Sequence, residues 1–226
     1  MNIVALIPAR GGSKGIPRKN IIDYRGMPML AHSILLAKSC KFIDRVIVDT
    51  DDEEIAQIAK NYGAEIPYIR PSNLAQDLSN DLCVFEHFIS KINADVIVHL
   101  RPTYPERTIE LLDNCIRTFF DKYDSIDSLR TVVMCDKSPY KMYTIDNQGC
   151  LCPLFETLTT QNEIIYEPYN EPRQRLPTVY LHNGCIDIIK TETIKSGSMS
   201  GKRIFSYIMN ECKDIDTPED LRKSLK

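Results

Sequence analysis

Three short apolar runs constrain this chain most. Residues 3–7 (IVALI), Arg45–Asp49 (RVIVD) and 95–100 (DVIVHL) each read as one buried strand. Between and after them come stretches with helical spacing. Met29–Ser39 carries Leu30, Ile34, Leu35 and Ala37. Residues 51–62 put Ile55, Ile58 and Ala59 on one face, with acids in the first turn and Gly63 as a stop. Residues 81–92 repeat the spacing at Val84, Phe88 and Ile92, and 109–123 reads as a further helix. Strands are also expected at 128–135 and 180–189 and, more weakly, at 66–70. Such alternation implies an α/β fold, a sandwich around a mostly parallel sheet.

The pattern changes after Pro139. Residues 138–180 hold Pro139, Pro153, Pro168, Pro172 and Pro177, several tyrosines and short β-like pieces. This reads as an insertion, a small β arm, within a single domain spanning 1–226. Thr217 opens a last helix, with Pro218 in its first turn and Glu219 and Asp220 at its N-terminus.

Composition narrows the function classes. An apolar share of 43% suffices for a sizeable core, and a net charge of −3 favours neither nucleic acid nor an anionic membrane. No apolar run approaches the roughly 18 residues of a membrane span. The first apolar run ends at Arg10 without signal-type flanks, so a cytoplasmic protein is expected. Eight scattered cysteines with no CxxC, and few histidines, argue against structural zinc; buried free thiols are expected instead.

Ligands of open α/β sheets bind beyond the carboxyl ends of strands. The first strand breaks at Pro8 into a loop, Ala9 to Asn20, with three glycines (Gly11, Gly12, Gly15) and four cations (Arg10, Lys14, Arg18, Lys19). Close backbone approach plus positive charge suits a polyphosphate. For GGSKG alone, an ordinary glycine turn with solvated lysines is the plain alternative, and neither a Walker loop nor GxGxxG is present. Asp214-x-Asp216 is the best metal candidate, since residues two apart on an extended segment face the same way and Mg²⁺ typically takes one or two carboxylates. The alternative is an acidic N-terminus of the last helix, with Asp216 or Thr217 capping.

The stretch from residue 3 to 20 resembles the N-terminal signature of the CMP-sugar synthetases, cytidylyltransferases acting on sialic acid and related acids, which reads roughly IPARxGSKGxPxKN. Further matches keep their order along the chain: 49–56 (DTDDEEIA) with STDDxxIA, 70–77 (RPSNLAQD) with RPxxLAxD, 172–177 (PRQRLP) with RQxLP, 183–187 (NGCID) with NGAIY, and 214–217 with a DIDT-like motif. The resemblance implies a glycosyltransferase-A-like nucleotidyltransferase that joins CTP to a nonulosonic acid, giving CMP-sugar and pyrophosphate. It implies Mg²⁺ on Asp214 and Asp216, with Arg10, Lys14 and Lys19 neutralising the triphosphate. Ala9, Gly11, Gly12, Ser13 and Asn20 line the nucleotide loop, and Arg70 and Ser79 lie near the base. Lys141, Arg173, Asn183 and Arg101 fall to the sugar, and the 138–180 arm to a homodimer.

The departures lie on the substrate side. The family's QPTSPLR stands here as RPTYPER at 101–107, so arginine replaces glutamine, and Asp187 stands where tyrosine is expected. Arg101 could hold an acceptor carboxylate or phosphate, or pair with Glu106 or a nearby Asp. Two rival readings follow: a nucleotidyltransferase for a sugar 1-phosphate, using CTP or another nucleotide, and a non-catalytic nucleotide-binding module.

Overall fold

The computed structural model describes residues 1–210 and 212–225. Its central sheet is built from β1 (Ile3–Pro8), β2 (Arg45–Asp49), β3 (Val96–His99), β4 (Ser128–Met134), β5 (Tyr180–Lys190) and β6 (Ile204–Ile208), in the spatial order β6-β4-β5-β3-β1-β2. β1 runs parallel to both neighbours, with Leu6 opposite Ile47 on one side and His99 on the other. β5 runs antiparallel to β3 and sets Asp187 opposite His99.

Side chains of a strand alternate between faces, and here both faces are apolar. Ala5, Ile7, Val46, Val48, Val96 and Val98 pack with Leu30 and Ile34 of α1 (Met29–Ser39), Ile55 of α2 (Glu53–Asn61) and Phe119 of α4 (Ile109–Asp121). Val4, Leu6, Ile47 and Ile97 face the other way, toward Val84, Phe85 and Phe88 of α3 (Asp81–Lys91) and Ile194 of α5 (Thr191–Lys195). The three-layer sandwich follows directly from that period of two. Each buried Leu, Ile, Val or Phe contributes about 1.5–3 kcal/mol.

Local chemistry sets the element ends. Asp52, Asn80 and Thr108 each cap a helix by accepting a backbone N–H three residues on. Two expectations fail. Residues 66–70 form no strand: Pro67 has no N–H to give, and only an isolated parallel bridge between Ile47 and Glu65 remains. The eight cysteines are all free but not all buried: Cys40, Cys115 and Cys185 are buried, Cys135, Cys152 and Cys212 half-buried, and Cys83 and Cys150 exposed. Short strands on solvated hairpins have no interior to offer Cys150 and Cys152.

The chain divides into two compact units, residues 1–131 with 184–226, and residues 132–183. The second holds two hairpins, Tyr143–Ile145 with Leu151–Pro153 and Thr157–Thr159 with Ile164–Tyr166, with 3-10 turns before them at Pro139–Lys141 and after them at Pro168–Asn170 and Arg173–Arg175. Ile165 and Leu176 are its buried apolar side chains. Among the described residues no helix is long and apolar enough to cross a membrane.

Candidate active site

Because β1, β2 and β3 are parallel, their carboxyl ends share one edge of the sheet. Ala9 is buried and donates its N–H to the Asp49 carbonyl at 2.9 Å, tying the loop's start to the end of β2. Asn20, also buried, closes the loop by donating from Nδ2 to the Arg10 carbonyl at 2.9 Å. Within it the Ser13 N–H reaches the Gly11 carbonyl at 3.1 Å, while Gly12 is exposed.

The far end of the chain meets this loop through an apolar contact. Ile16 packs in a buried cluster with Tyr24, Met29 and Ile215, the residue between the two aspartates. With Ile215 turned inward, Asp214 is half-buried and Asp216 exposed. The Ile215 N–H donates to the Thr103 carbonyl at 2.9 Å. Gly15 makes the close approach possible: a Cβ there would lie 2.5 Å from the Asp216 carbonyl oxygen.

The Tyr104 hydroxyl donates to Asp214 Oδ2 at 3.0 Å, and Asp214 Oδ1 is buried with no hydrogen bond. Burial, opposed by the Thr103 hydroxyl and reinforced by Asp216, lifts Asp214 above the ordinary carboxylate range. Asp216 pairs with Lys19. Neither acid serves as the helix cap: Thr217 caps α6 (Pro218–Ser224), reciprocally with Asp220. Among the described residues no group of three or more His, Cys, Asp or Glu is placed to hold a metal, so the pair stands by itself.

The loop's other cations are also matched by carboxylates. Arg10 lies 3.0 Å from Asp77, and Lys14 pairs with the same acid. Lys14 first, then Arg10, holds Asp77 below the usual range. Arg18, in left-handed backbone at φ +57°, reaches Asp52 and Glu54. The Gly11 N–H donates to Asp51 Oδ1 at 2.9 Å. Exposed ion pairs are worth about 0–1 kcal/mol, whereas hydrogen bonds to charged groups reach about 1.5–3 kcal/mol. A polyphosphate can therefore compete for these donors.

Other expected site residues are placed as follows. Arg70 is buried, its Nε 3.1 Å from Asp49 Oδ1, and it also donates to the Asp49 carbonyl at 2.7 Å. The Ser79 hydroxyl accepts from the Gln76 N–H and donates to the Asn73 carbonyl, so it braces its own turn. Arg101 pairs with Asp187 at 3.1 Å and Asp81 at 3.4 Å. Glu106 meets the Tyr24 hydroxyl at 2.8 Å and Arg25 at 2.6 Å instead. In the second unit Lys141 and Arg173 are exposed and Asn183 is half-buried; Lys141 Nζ donates to the Tyr169 carbonyl at 3.1 Å.

The structure adds residues to which the sequence reading assigned no role. Asp77 gathers Arg10 and Lys14, and Tyr104 positions Asp214. Arg107 is buried and donates to the carbonyls of Cys185 and Arg101, at 2.6 and 2.7 Å, and to the Ser33 hydroxyl at 2.5 Å. Asp77 and Arg107 close two of the matched segments, which was the available signal.

A family model described as cytidylyltransferase matches residues 4–146. The chain belongs to the cytidylyltransferase family. It is 36% identical over 124 residues to the pseudaminic acid cytidylyltransferase of Campylobacter jejuni, an alignment covering 54% of this chain and 53% of that relative. Against this relative the match thus spans about half its length. With the CMP-N,N'-diacetyllegionaminic acid synthase of Legionella pneumophila, this chain shares 31% identity over 97% of its own length and 93% of the relative's. A solved structure of CMP:2-keto-3-deoxy-manno-octonic acid synthetase complexed with CTP has the same fold, with a TM-score of 0.72 at 18% identity, covering 99% of this chain and 96% of that one.

Proposed function

We propose that this cytidylyltransferase joins CTP to a nonulosonic acid, giving CMP-sugar and pyrophosphate. The observation that carries the reading is the meeting, at one edge of the sheet, of the cationic glycine loop with Asp214 and Asp216. Relatives named for pseudaminic and legionaminic acids support a sugar acid over a sugar 1-phosphate as acceptor.

The residues fit a magnesium ion. Two hard carboxylates, one with a buried oxygen that makes no hydrogen bond, suit a small cation that takes its remaining ligands from phosphate and water. Asp214 and Asp216 would hold it, and bound there it supplies positive charge at the oxygens of the transferring phosphoryl group. Arg10, Lys14 and Lys19 bind and orient the triphosphate, while Asn20 and Gly15 keep the loop in shape. Arg70 is held rigid by Asp49 for the base. Tyr104 fixes the rotamer of Asp214. Lys141 and Arg173 enter the proposal through the motif match alone.

A homodimer belongs to the same proposal, supported by the exposed apolar side chains of residues 132–183. A cytoplasmic setting accords with CTP as the substrate. The test is pyrophosphate release with CTP, GTP, UTP and ATP crossed against nonulosonic acids and sugar 1-phosphates, with Mg²⁺ and with EDTA. Turnover with CTP and an acid, abolished by EDTA, is the expected result. Turnover only with a sugar 1-phosphate would sink the acceptor assignment, and EDTA-resistant turnover the metal assignment.

A further inference from the structure

Arg101 and Asp187, the two departures from the family pattern, are 86 positions apart in sequence and touch each other in the fold. Asp187 is 3% exposed, at the β3-facing end of β5, and the Arg101 side chain is 30% exposed just beyond the carboxyl end of β3. One terminal nitrogen, Nη1, donates to Asp187 Oδ2 at 3.1 Å and to the Gly184 carbonyl at 2.8 Å. Gly184, at φ +72°, leaves the room: a Cβ there would collide with that nitrogen and lie 3.0 Å from Cζ. The other terminal nitrogen, Nη2, has a 3.4 Å contact to the exposed Asp81.

One edge of the guanidinium is thus committed to buried acceptors, and the other is lightly held near solvent. Arg101 leads directly into the segment that braces the acid pair. Thr103, two residues on, accepts from Ile215, and Tyr104 donates to Asp214. An exposed pair as long as the Asp81 contact has little energy to resist a carboxylate that offers two-pronged geometry. Arginine's planar fork can serve two carboxylates at different edges, which lysine or glutamine cannot.

We propose that Asp187 is a positioning residue that holds Arg101 so that its outer edge takes the carboxylate of the acceptor sugar. The inference rests on the function proposed above. Asp187 Oδ2 lies 3.1 Å from Arg101 Nη1 and 3.7 Å from the buried His99 Nδ1; of these two, Arg101 is the one that reaches toward solvent, so Asp187 and Arg101 act as one unit in acceptor selection.

Steady-state pyrophosphate release tests it, using the acid that the unaltered protein prefers and the methyl ester of the same acid. Arg101→Gln should raise the KM for the acid about tenfold or more, and Asp187→Asn by about fivefold, with kcat and the KM for CTP within about twofold. The double variant should be no worse than Arg101→Gln, because Asp187 acts through Arg101. The ester should be penalised in the unaltered protein and not further in Arg101→Gln. Unchanged KM for the acid in Asp187→Asn, additive losses, or a rise in the KM for CTP in place of that for the acid would each overturn the inference. If Asp187→Asn melts early, Asp187→Glu, which keeps the charge but displaces it, takes its place: a raised KM for the acid is expected, and an unchanged one would overturn the inference. No turnover of the unaltered protein with any acid would overturn the functional reading, and this inference with it.

Discussion

In the first unit Phe85, Phe88 and Phe119 are wholly buried, whereas in the second Ile145 and Tyr166 are each 70% exposed. The first unit has two apolar faces of a sheet covered by helices. The second has two-stranded hairpins with apolar side chains on show. Isolated hairpins are marginal in water, and an exposed apolar surface of this kind marks a place where something else docks. The contrast separates a part built to hold chemistry in place from a part built to be covered, in our proposal by a second copy of the chain.

The largest test of that contrast is in the core. Phe88→Ala should cost about 3–5 kcal/mol and lower the melting temperature by about 10 °C, measured by calorimetry. Asp214→Asn comes next. Pyrophosphate release should fall on the order of 10²–10³-fold, while the melting temperature stays level or rises. The sign follows from the raised Asp214: its charged form is disfavoured by burial, so removing the charge relieves the fold at neutral pH. In the second unit Ile145→Asp should change monomer stability by less than about 1 kcal/mol, yet weaken self-association about tenfold or more by sedimentation. If instead the monomer unfolds, the second unit has an interior of its own and the contrast breaks.

The smallest effect is expected at the sheet edge. Asp127 is held down to about 2 by the Arg203 side chain and the N–H groups of Arg203 and Lys202. Its contribution is therefore present above the ordinary carboxylate value and lost as the pH falls toward 2. Asp127→Asn should melt slightly earlier at pH 7, with the gap to the unaltered protein closing below about pH 4.

What could be read from the chain follows from how local each signal was. Ile3–Pro8, Arg45–Asp49 and Val96–His99 declared themselves because strands covered on both faces are apolar throughout. Ile204–Ile208 did not: Ile204, Ser206 and Ile208 are exposed and Phe205 and Tyr207 only half-buried, the weak alternation of an edge. Asp214 and Asp216 were legible as a pair two apart, and the burial of Ile215 between them leaves Asp216 exposed and Asp214 half-buried. The partners of the cations were not. Asp77 serves Arg10 and Lys14 from more than sixty positions away, and Asp187 serves Arg101 from 86, distances over which no periodicity carries information.

The pairing of Arg10 and Lys14 with Asp77, of Arg18 with Asp52 and Glu54, and of Lys19 with Asp216 bears on how a nucleotide would arrive. In the proposed function the loop would work as an ion exchanger and not as a bare cationic trap. Each phosphate oxygen that lands would evict a carboxylate already in place, so the net gain in unscreened attraction is smaller than four cations suggest, and salt should weaken nucleotide binding only gently. In the proposed site the evicted Asp216 would be the group left to face the magnesium ion, so loading the triphosphate and arming the acid pair would become a single event.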